Sequence, residues 1–118
     1  MHDFKKLEVW KRSRLLVKDV FILLQDFPKE EVFGLVSQMK RASISIPSNI
    51  AEGCGRGSNK QLNYHLGVAL GSVYELGTQL LISGDLKYIK EEKLNAVIEK
   101  VQEVGRMLGG LQKSLSLS

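Results

Sequence analysis

Apolar residues recur at steps of three and four along most of the chain, and this spacing constrains the fold more than any other feature of the sequence. The longest example lies near the C-terminus and consists of Leu94, Val97, Val101, Val104, Leu108, Leu111 and Leu115. An α-helix turns once in about 3.6 residues, so this spacing places the apolar side chains along one face of a helix. Strand-like alternation of useful length is absent from the sequence, which therefore predicts an all-α fold.

Four segments show this spacing, and the residues between them are typical of helix ends. The predicted helices span about residues 5–26, 31–54, 58–83 and 90–115. Pro28 ends the first helix, Ser58 is a suitable N-cap for the third, and Gly84 is a suitable stop at its end. Glu30 and Glu31 suit the positive end of the second helix. Helices of this length with short connections predict an antiparallel up-down-up-down bundle, and the 118 residues predict a single domain.

Composition narrows the class of protein. The one cysteine, Cys54, cannot form a disulfide within the chain and suits a reducing compartment, as a small apolar side chain. No apolar run approaches the ~20 residues that span a bilayer, and the N-terminal segment lacks the apolar core of a signal peptide. We therefore expect a cytoplasmic protein with no membrane partner. A monomer of this size buries only about two thirds of its unfolded surface, so self-association would supplement its stability.

The formal charge of +4 is concentrated in the middle of the chain. Residues 32–74 carry four basic side chains against one acidic side chain, whereas residues 75–118 carry six of each. A second group of basic residues, which includes Lys11, Arg12 and Arg14, lies on the predicted first helix. This excess of basic side chains is compatible with binding to a polyanion. It is equally compatible with a solvated helical surface, which has a similar composition.

The segment SISIPSNIAEGCGRGS, residues 43–58, contains a proline within a helical pattern. Pro47 lacks an N–H and crowds the carbonyl of Ser43, which costs about 3 kcal/mol in a helix interior unless the helix bends. The apolar stripe continues past this position, so the sequence favours a second helix kinked at Pro47 over a true break. Gly53, Gly55 and Gly57 follow a helix and not a strand, so they predict a helix end and a turn rather than a nucleotide-binding loop.

A polar stripe runs beside the apolar stripe on the second helix. It consists of Arg41, Ser45, Ser48, Asn49, Glu52 and Arg56. We expect Asn49 and Glu52 to hydrogen-bond either to the region of Ser72 and Glu75 on the third helix or to a second subunit. The alternative is that these groups face water. Ser48, Asn49, Glu52, Ser72 and Glu75 are therefore candidates for polar packing or for an interface.

The third helix is also rich in glycine, at Gly67, Gly71 and Gly77. Each glycine costs roughly 1 kcal/mol relative to alanine in a helix interior. We expect such glycines where another backbone comes close.

Residue patterns that carry catalysis or bind metals are absent from the sequence. Neither His2 nor His65 has the glutamate three residues before it that a di-iron bundle requires. One cysteine and two distant histidines cannot make a structural zinc site, and no P-loop is present. No nucleophile has a base visible in the sequence. We therefore predict a binding or structural protein that is not an enzyme and has no catalytic residues, metal or cofactor.

Three segments resemble a known bacterial family. They are FKKLEVWKRSRLLVKDVF, LVSQMKRASISIPSNIAEGCGRGS and ALGSVYELGTQLLISGDLKYI. From about Phe4 to Leu115, the chain resembles the four-helix bundle proteins encoded within intervening sequences of 23S ribosomal RNA genes. The resemblance implies a bundle that assembles into a ring-like homopentamer. This family is related to the accessory variability proteins of diversity-generating retroelements, which are basic pentameric bundles that bind nucleic acid and a reverse transcriptase.

Two functions are compatible with these features. The first is a non-enzymatic oligomeric bundle that binds RNA or DNA through Arg41, Arg56 and Lys60, because a basic surface binds phosphates. Lys11, Arg12 and Arg14 would form a second patch on this reading. The alternative for Arg41 and Arg56 is that they form ion pairs between subunits. The alternative function is a protein-interaction scaffold, such as a reverse-transcriptase accessory protein of a diversity-generating retroelement.

Overall fold

The structure is a computed structural model that describes residues 3–117, and these residues form four α-helices. The helices are α1 (Glu8–Leu24), α2 (Leu35–Cys54), α3 (Asn59–Asp85) and α4 (Glu91–Leu117). Short 3-10 helices precede α1 and α2, at Phe4–Lys6 and Lys29–Glu31. No strand occurs within residues 3–117, and the prediction of an all-α four-helix fold is confirmed.

Contacts between α2 and α3 show that the two helices run in opposite directions. Early α2 meets late α3, where Ser83 Oγ lies 3.6 Å from Met39 Sδ. Late α2 meets early α3, where His65 Nδ1 lies 3.2 Å from Asn49 Oδ1. α4 packs against both α3 and α1 in the same antiparallel sense. The four helices thus enclose one core.

The core is built from the apolar stripes that the sequence predicts. Every helix contributes side chains that are almost completely buried, among them Leu16, Val20, Met39, Ile46, Ile50, Leu62, Leu66, Leu76, Leu80, Val104 and Leu108. Full burial of one such side chain stabilises a fold by about 1.5–3 kcal/mol relative to exposure. This burial, summed over the four stripes, holds the helices together.

The third helix is apolar on more than one side. Among the helices within residues 3–117, α3 is the one whose length and composition would allow it to cross a bilayer. Its core-facing residues, such as Leu66 and Leu80, are fully buried in the bundle, and core helices commonly pass the same test. Its outer side still presents Tyr74 and Leu81 to solvent.

The start of α2 and the end of α3 differ from the bounds predicted from the sequence. α2 begins at Leu35, four residues later than predicted, because Glu30 and Glu31 lie in a 3-10 helix. Gly34, at φ −108° and ψ −111°, separates that 3-10 helix from α2. Gly84 does not stop α3, which continues to Asp85. A Cβ at Gly84 would lie 2.5 Å from Leu94 Cδ2, so the glycine serves packing against α4 instead.

α2 continues through Pro47 without a break. Side chains on both sides of the proline donate hydrogen bonds to backbone carbonyls that precede it. Ser43 Oγ donates to the carbonyl of Lys40 at 3.0 Å, and Asn49 Nδ2 donates to the carbonyl of Ser45 at 2.9 Å. The kink at Pro47 stays a prediction.

Candidate nucleic-acid interface

The chain reverses between α2 and α3 within residues 55–58. The N–H of Gly55 donates to the carbonyls of Ala51 and Glu52 and closes α2. Gly57 has a φ of 89°, a left-handed conformation that favours glycine. Ser58 Oγ accepts a hydrogen bond from the N–H of Gln61 at 3.2 Å, which confirms Ser58 as the N-cap of α3.

Gly53 allows α2 and α3 to approach closely beside this turn. A Cβ at Gly53 would lie 2.8 Å from His65 Cβ and 3.0 Å from Leu62 Cδ1, which is too close for ordinary packing. Gly71, in contrast, has nothing within 4 Å of such a Cβ. A Cβ at Gly67 or Gly77 would meet an α4 side chain only at ordinary distances of 3.5 and 3.8 Å, so the close approach expected at these α3 glycines is made at Gly53 instead.

The turn and the first two turns of α3 form a concave surface, which we call the α2–α3 cleft. It is lined by Arg56, Ser58, Lys60, Gln61, Tyr64 and His65. Two of the predicted nucleic-acid-binding residues, Arg56 and Lys60, thus line the same concavity. The cleft also lies at the N-terminus of α3, where the helix dipole is positive.

Arg56 is held in place by an acidic neighbour. Its Nη2 lies 2.7 Å from Glu52 Oε1, one helical turn earlier, and both side chains are about half exposed. This hydrogen bond lowers the pKa of Glu52 below its usual value, partly offset by desolvation, with His65 adding to the lowering. The pair lies within one chain, so Arg56 has a partner without a second subunit. Its exposed half leaves the guanidinium accessible to an anion.

A polar seam between α2 and α3 fixes the side of the cleft nearest the core. Ser72 Oγ donates to Ser45 Oγ at 2.8 Å, and Asn49 Nδ2 lies 3.0 Å from the same oxygen. Asn49 Oδ1 then faces His65 Nδ1. The structure therefore joins the helices through Ser45–Ser72 and Asn49–His65, a different pairing from the one expected for Asn49.

The two carboxylates of the predicted polar set hydrogen-bond to residues near them in the sequence. Glu52 pairs with Arg56, while its Oε2 also lies 4.0 Å from His65 Nδ1 on α3, and Glu75 Oε2 accepts from Gln79 Nε2 at 3.1 Å on its own helix. Ser48 is exposed. A role for these side chains between subunits stays a prediction.

The three cations of the predicted second patch on α1 are spread out, and each of them contacts another side chain. Arg12 pairs with Glu103 of α4, and Lys11 lies 3.6 Å from Glu8. The Arg14 guanidinium lies 5.4 Å from the centre of the Trp10 ring. None of the α1 cations lines the cleft. Carboxylates partly neutralise Lys11 and Arg12, which weakens this patch as a phosphate site, whereas Arg14 has an aromatic ring as its neighbour.

Arg41 stands apart from both groups. It is exposed on α2 and makes no ion pair with any residue in the range 3–117. It lies on α2 about four helical turns before Arg56, which follows the end of that helix, and it does not line the cleft.

Sequence reasoning missed three side chains of the cleft and two nearby cations. Gln61, Tyr64 and His65 line the concavity, and none of them was assigned to a nucleic-acid site from the sequence. Tyr64 lies four residues after Lys60 and therefore on the same helical face, and this spacing was the available signal for it. Lys5 and Lys6 lie in a 3-10 helix that contacts α2, which places them towards the same end of the bundle.

Metal ligands do not gather anywhere in the described part of the chain. Among residues 3–117, no group of three His, Cys, Asp or Glu side chains is placed to hold a metal ion. Cys54 is buried, and desolvation raises the pKa of its thiol above the usual value. A buried thiol with a raised pKa is a poor nucleophile, which agrees with packing as its main role.

Comparison with known sequences shows the family. Residues 5–110 match the family described as 23S rRNA-intervening sequence protein. The chain belongs to this family. The match covers most of the chain, and the resemblance seen in its three segments is confirmed. The family has no known function and is not a known enzyme family. No curated protein matches the chain.

A solved structure shares the fold of this family member. A protein of unknown function from the S23 ribosomal protein family of Bacteroides thetaiotaomicron superposes with a TM-score of 0.82. The two chains are 23% identical over 89% of this chain and 95% of that one. At this level of identity the likeness establishes the fold alone.

Proposed function

We propose that the protein is a non-enzymatic, self-associating bundle that binds RNA, or another nucleic acid, at the α2–α3 cleft. The observation that carries this proposal is the convergence of Arg56 and Lys60 on one concave surface at the N-terminus of α3. Backbone N–H groups in the first turn of a helix and a positive dipole end both favour a bound phosphate.

The two cations differ in a way that suits a nucleic-acid backbone. Lys60 is exposed and forms no ion pair within residues 3–117, so its charge is available to a phosphate as a point charge. Arg56 is oriented by Glu52 and presents a planar fork, which matches two phosphate oxygens. The carboxylate of Glu52 reduces the net charge of the cleft. A single cleft is therefore expected to bind weakly.

Self-association would multiply such weak sites, because linked sites act at a high effective concentration. The outer side of α3 supports this part of the proposal. Tyr74 and Leu81 are more than half exposed there and line an apolar groove with α4, in which Gly77 and Gly105 provide room. A helix that is apolar on both sides commonly buries both, and we propose a second copy of the chain as the occupant. The ring-like homopentamer implied by the family resemblance is our working assembly.

A salt titration tests the proposed site. Affinity for a single-stranded RNA would be measured between 50 and 200 mM salt, roughly the range over which phosphate contacts dominate. Each phosphate that is no longer neutralised should lower the slope of log K against log salt by about 0.7 for single strands. Arg56→Gln with Lys60→Gln, which releases the phosphate that the two cations share, should therefore lower the slope by about 0.7. Lys93→Gln, an exposed lysine at the start of α4, is the matched control. An unchanged slope in the double variant would remove the cleft from the binding surface.

The second candidate function is a platform for another protein, such as a reverse transcriptase. The same apolar groove between α3 and α4 favours it, because exposed apolar grooves are common docking sites. A monomeric chain that fails to bind RNA and co-purifies with one polymerase from its host would favour this candidate over the first.

A further inference from the structure

An exposed aromatic ring stands beside the two cations of the α2–α3 cleft. Tyr64 is 68% exposed, although its neighbour His65 is only 12% exposed at the side chain. The two rings meet edge to face, with centroids 5.3 Å apart and an interplanar angle of 82°. In an edge-to-face pair, either the edge of Tyr64 or one of its faces is occupied. At least one face of the tyrosine ring is therefore open.

The position of Tyr64 relative to Lys60 matches a short ligand. The two residues are four apart on α3, and side chains at this spacing are neighbours on a helix surface, with Cβ atoms about 5–6 Å apart. Arg56 enters the same concavity from the end of α2. A phosphate held by the cations would thus leave the adjoining base within reach of the tyrosine.

The amide of Gln61 adds a group that can read a base edge. It lines the cleft between the lysine and the tyrosine, and it offers both donors and an acceptor. Cations, an amide and an open aromatic ring together are the components that single-strand binding surfaces combine.

A paired base cannot use this arrangement. In a duplex each base is stacked on both faces and paired at its Watson–Crick edge, so its face is not free for Tyr64 and that edge is not free for Gln61. Recognition of duplex shape needs contacts spread across successive grooves, whereas this cleft spans only the turn and two turns of one helix.

Resting on the nucleic-acid binding proposed above, we infer that the cleft selects unpaired nucleotides. Arg56 and Lys60 hold a phosphate, and the adjoining base stacks on the open face of Tyr64. The ligand class is therefore a single-stranded segment, a loop or a strand end of RNA.

The test compares one RNA strand in two states. A labelled strand of about 12 nucleotides, within the range that single-strand sites occupy, is titrated alone and after annealing to its complement. The proteins are the wild type, Tyr64→Ala, Tyr64→Leu, Tyr64→Phe and Phe33→Ala. Phe33 is the control, because this aromatic side chain is 96% exposed and lines neither the cleft nor the α3–α4 groove.

We expect the wild type to bind the single strand more tightly than the duplex. Tyr64→Ala should weaken single-strand binding by about 5- to 100-fold, the usual effect of removing one base-stacking aromatic ring. Tyr64→Leu, which keeps apolar bulk without an aromatic face, should behave like Tyr64→Ala. Tyr64→Phe and Phe33→Ala should bind as the wild type does. Circular dichroism checks that each variant is folded.

The outcomes separate this inference from the function on which it rests. Suppose that Tyr64→Ala leaves the affinity for the single strand unchanged, whereas replacing Arg56 and Lys60 lowers it. This result would overturn base stacking on Tyr64 and leave the nucleic-acid site in place. Equal affinity for single strand and duplex would overturn the selection of unpaired nucleotides. Binding of neither RNA by the wild type would overturn both proposals.

Discussion

Replacing Gly53 with alanine should destabilise the bundle, even though alanine is the better helix former. The added Cβ would lie 2.8 Å from His65 Cβ and 3.3 Å from Leu62 Cα. Each of these atoms is fixed to a helix backbone, so no rotamer change relieves the contact and α2 must move away from α3. Overpacking of this kind costs about 1–3 kcal/mol.

The stability gained from the higher helix propensity of alanine is smaller than this cost of overpacking. Alanine in place of glycine gains up to about 1 kcal/mol in a helix interior, and less near a helix end. Gly53 is the last residue but one of α2. The expected net effect is a loss of about 1 kcal/mol in the free energy of unfolding. The matched control is Gly110→Ala on α4, where nothing lies within 4 Å of the new Cβ, and it should stabilise the chain.

Urea unfolding followed by far-UV circular dichroism measures both variants, at one protein concentration because the chain is expected to self-associate. With a slope of roughly 1–3 kcal/mol per molar urea, the midpoint for Gly53→Ala should fall by about 0.3–1 M. If Gly53→Ala raised the midpoint as much as Gly110→Ala, the close approach of α2 and α3 would be refuted.

Three further predictions concern the seam, the helix connections and the outer side of α3. Asn49→Ala removes the partner of His65 and should cost about 1–2 kcal/mol in urea unfolding, whereas the exposed Ser48→Ala should stay within about 0.5 kcal/mol; equal effects would contradict the seam. Tyr88 donates to Glu31 at 3.1 Å, and mainly this hydrogen bond raises its pKa above the usual 10.0. The stability that this proton contributes is complete below pH 10 and is lost as pH rises through the folded pKa. Tyr88→Phe should therefore remove the tyrosine ionisation that occurs at the highest pH in a titration followed by ultraviolet absorbance. If the variant instead lost an ionisation at the ordinary tyrosine pKa, this prediction would be contradicted. Gly71→Arg should reduce the assembly size in light scattering while the monomer stays folded, since the single chain leaves open space there; an unchanged size would exclude that part of α3 from the interface.

The sequence predicts the helices well because their signal is local. The stripe on α4 places Val97, Val101, Val104 and Leu108 on one face, and all four are buried in the structure. The start of α2 was predicted too early. Glu30 and Glu31 suit the N-terminus of an α-helix and of a 3-10 helix equally well, so the sequence does not distinguish the two. The backbone conformation of Gly34 separates the 3-10 helix from α2 and thereby sets the start of α2 at Leu35.

The candidate site was predictable only in part because it depends on contacts between distant residues. Arg56 and Lys60 were identified from charge alone. Their grouping with Tyr64 depends on the tight reversal at residues 55–58 and on the close packing at Gly53. The ion pair between Arg12 and Glu103 could not be predicted from the sequence either. Glu103 lies 91 residues after Arg12, and only the packing of α4 against α1 brings the two side chains together.

Photo-crosslinking tests the central claim, that nucleic acid binds at the α2–α3 cleft, most directly. The wild-type protein would be irradiated while bound to a single-stranded RNA containing 4-thiouridine, and the crosslinked residues would be identified by mass spectrometry. We predict crosslinks within residues 56–65, above all at Tyr64. Crosslinks confined to the α1 cations or to Arg41 would contradict this account and move the binding surface to another face of the bundle.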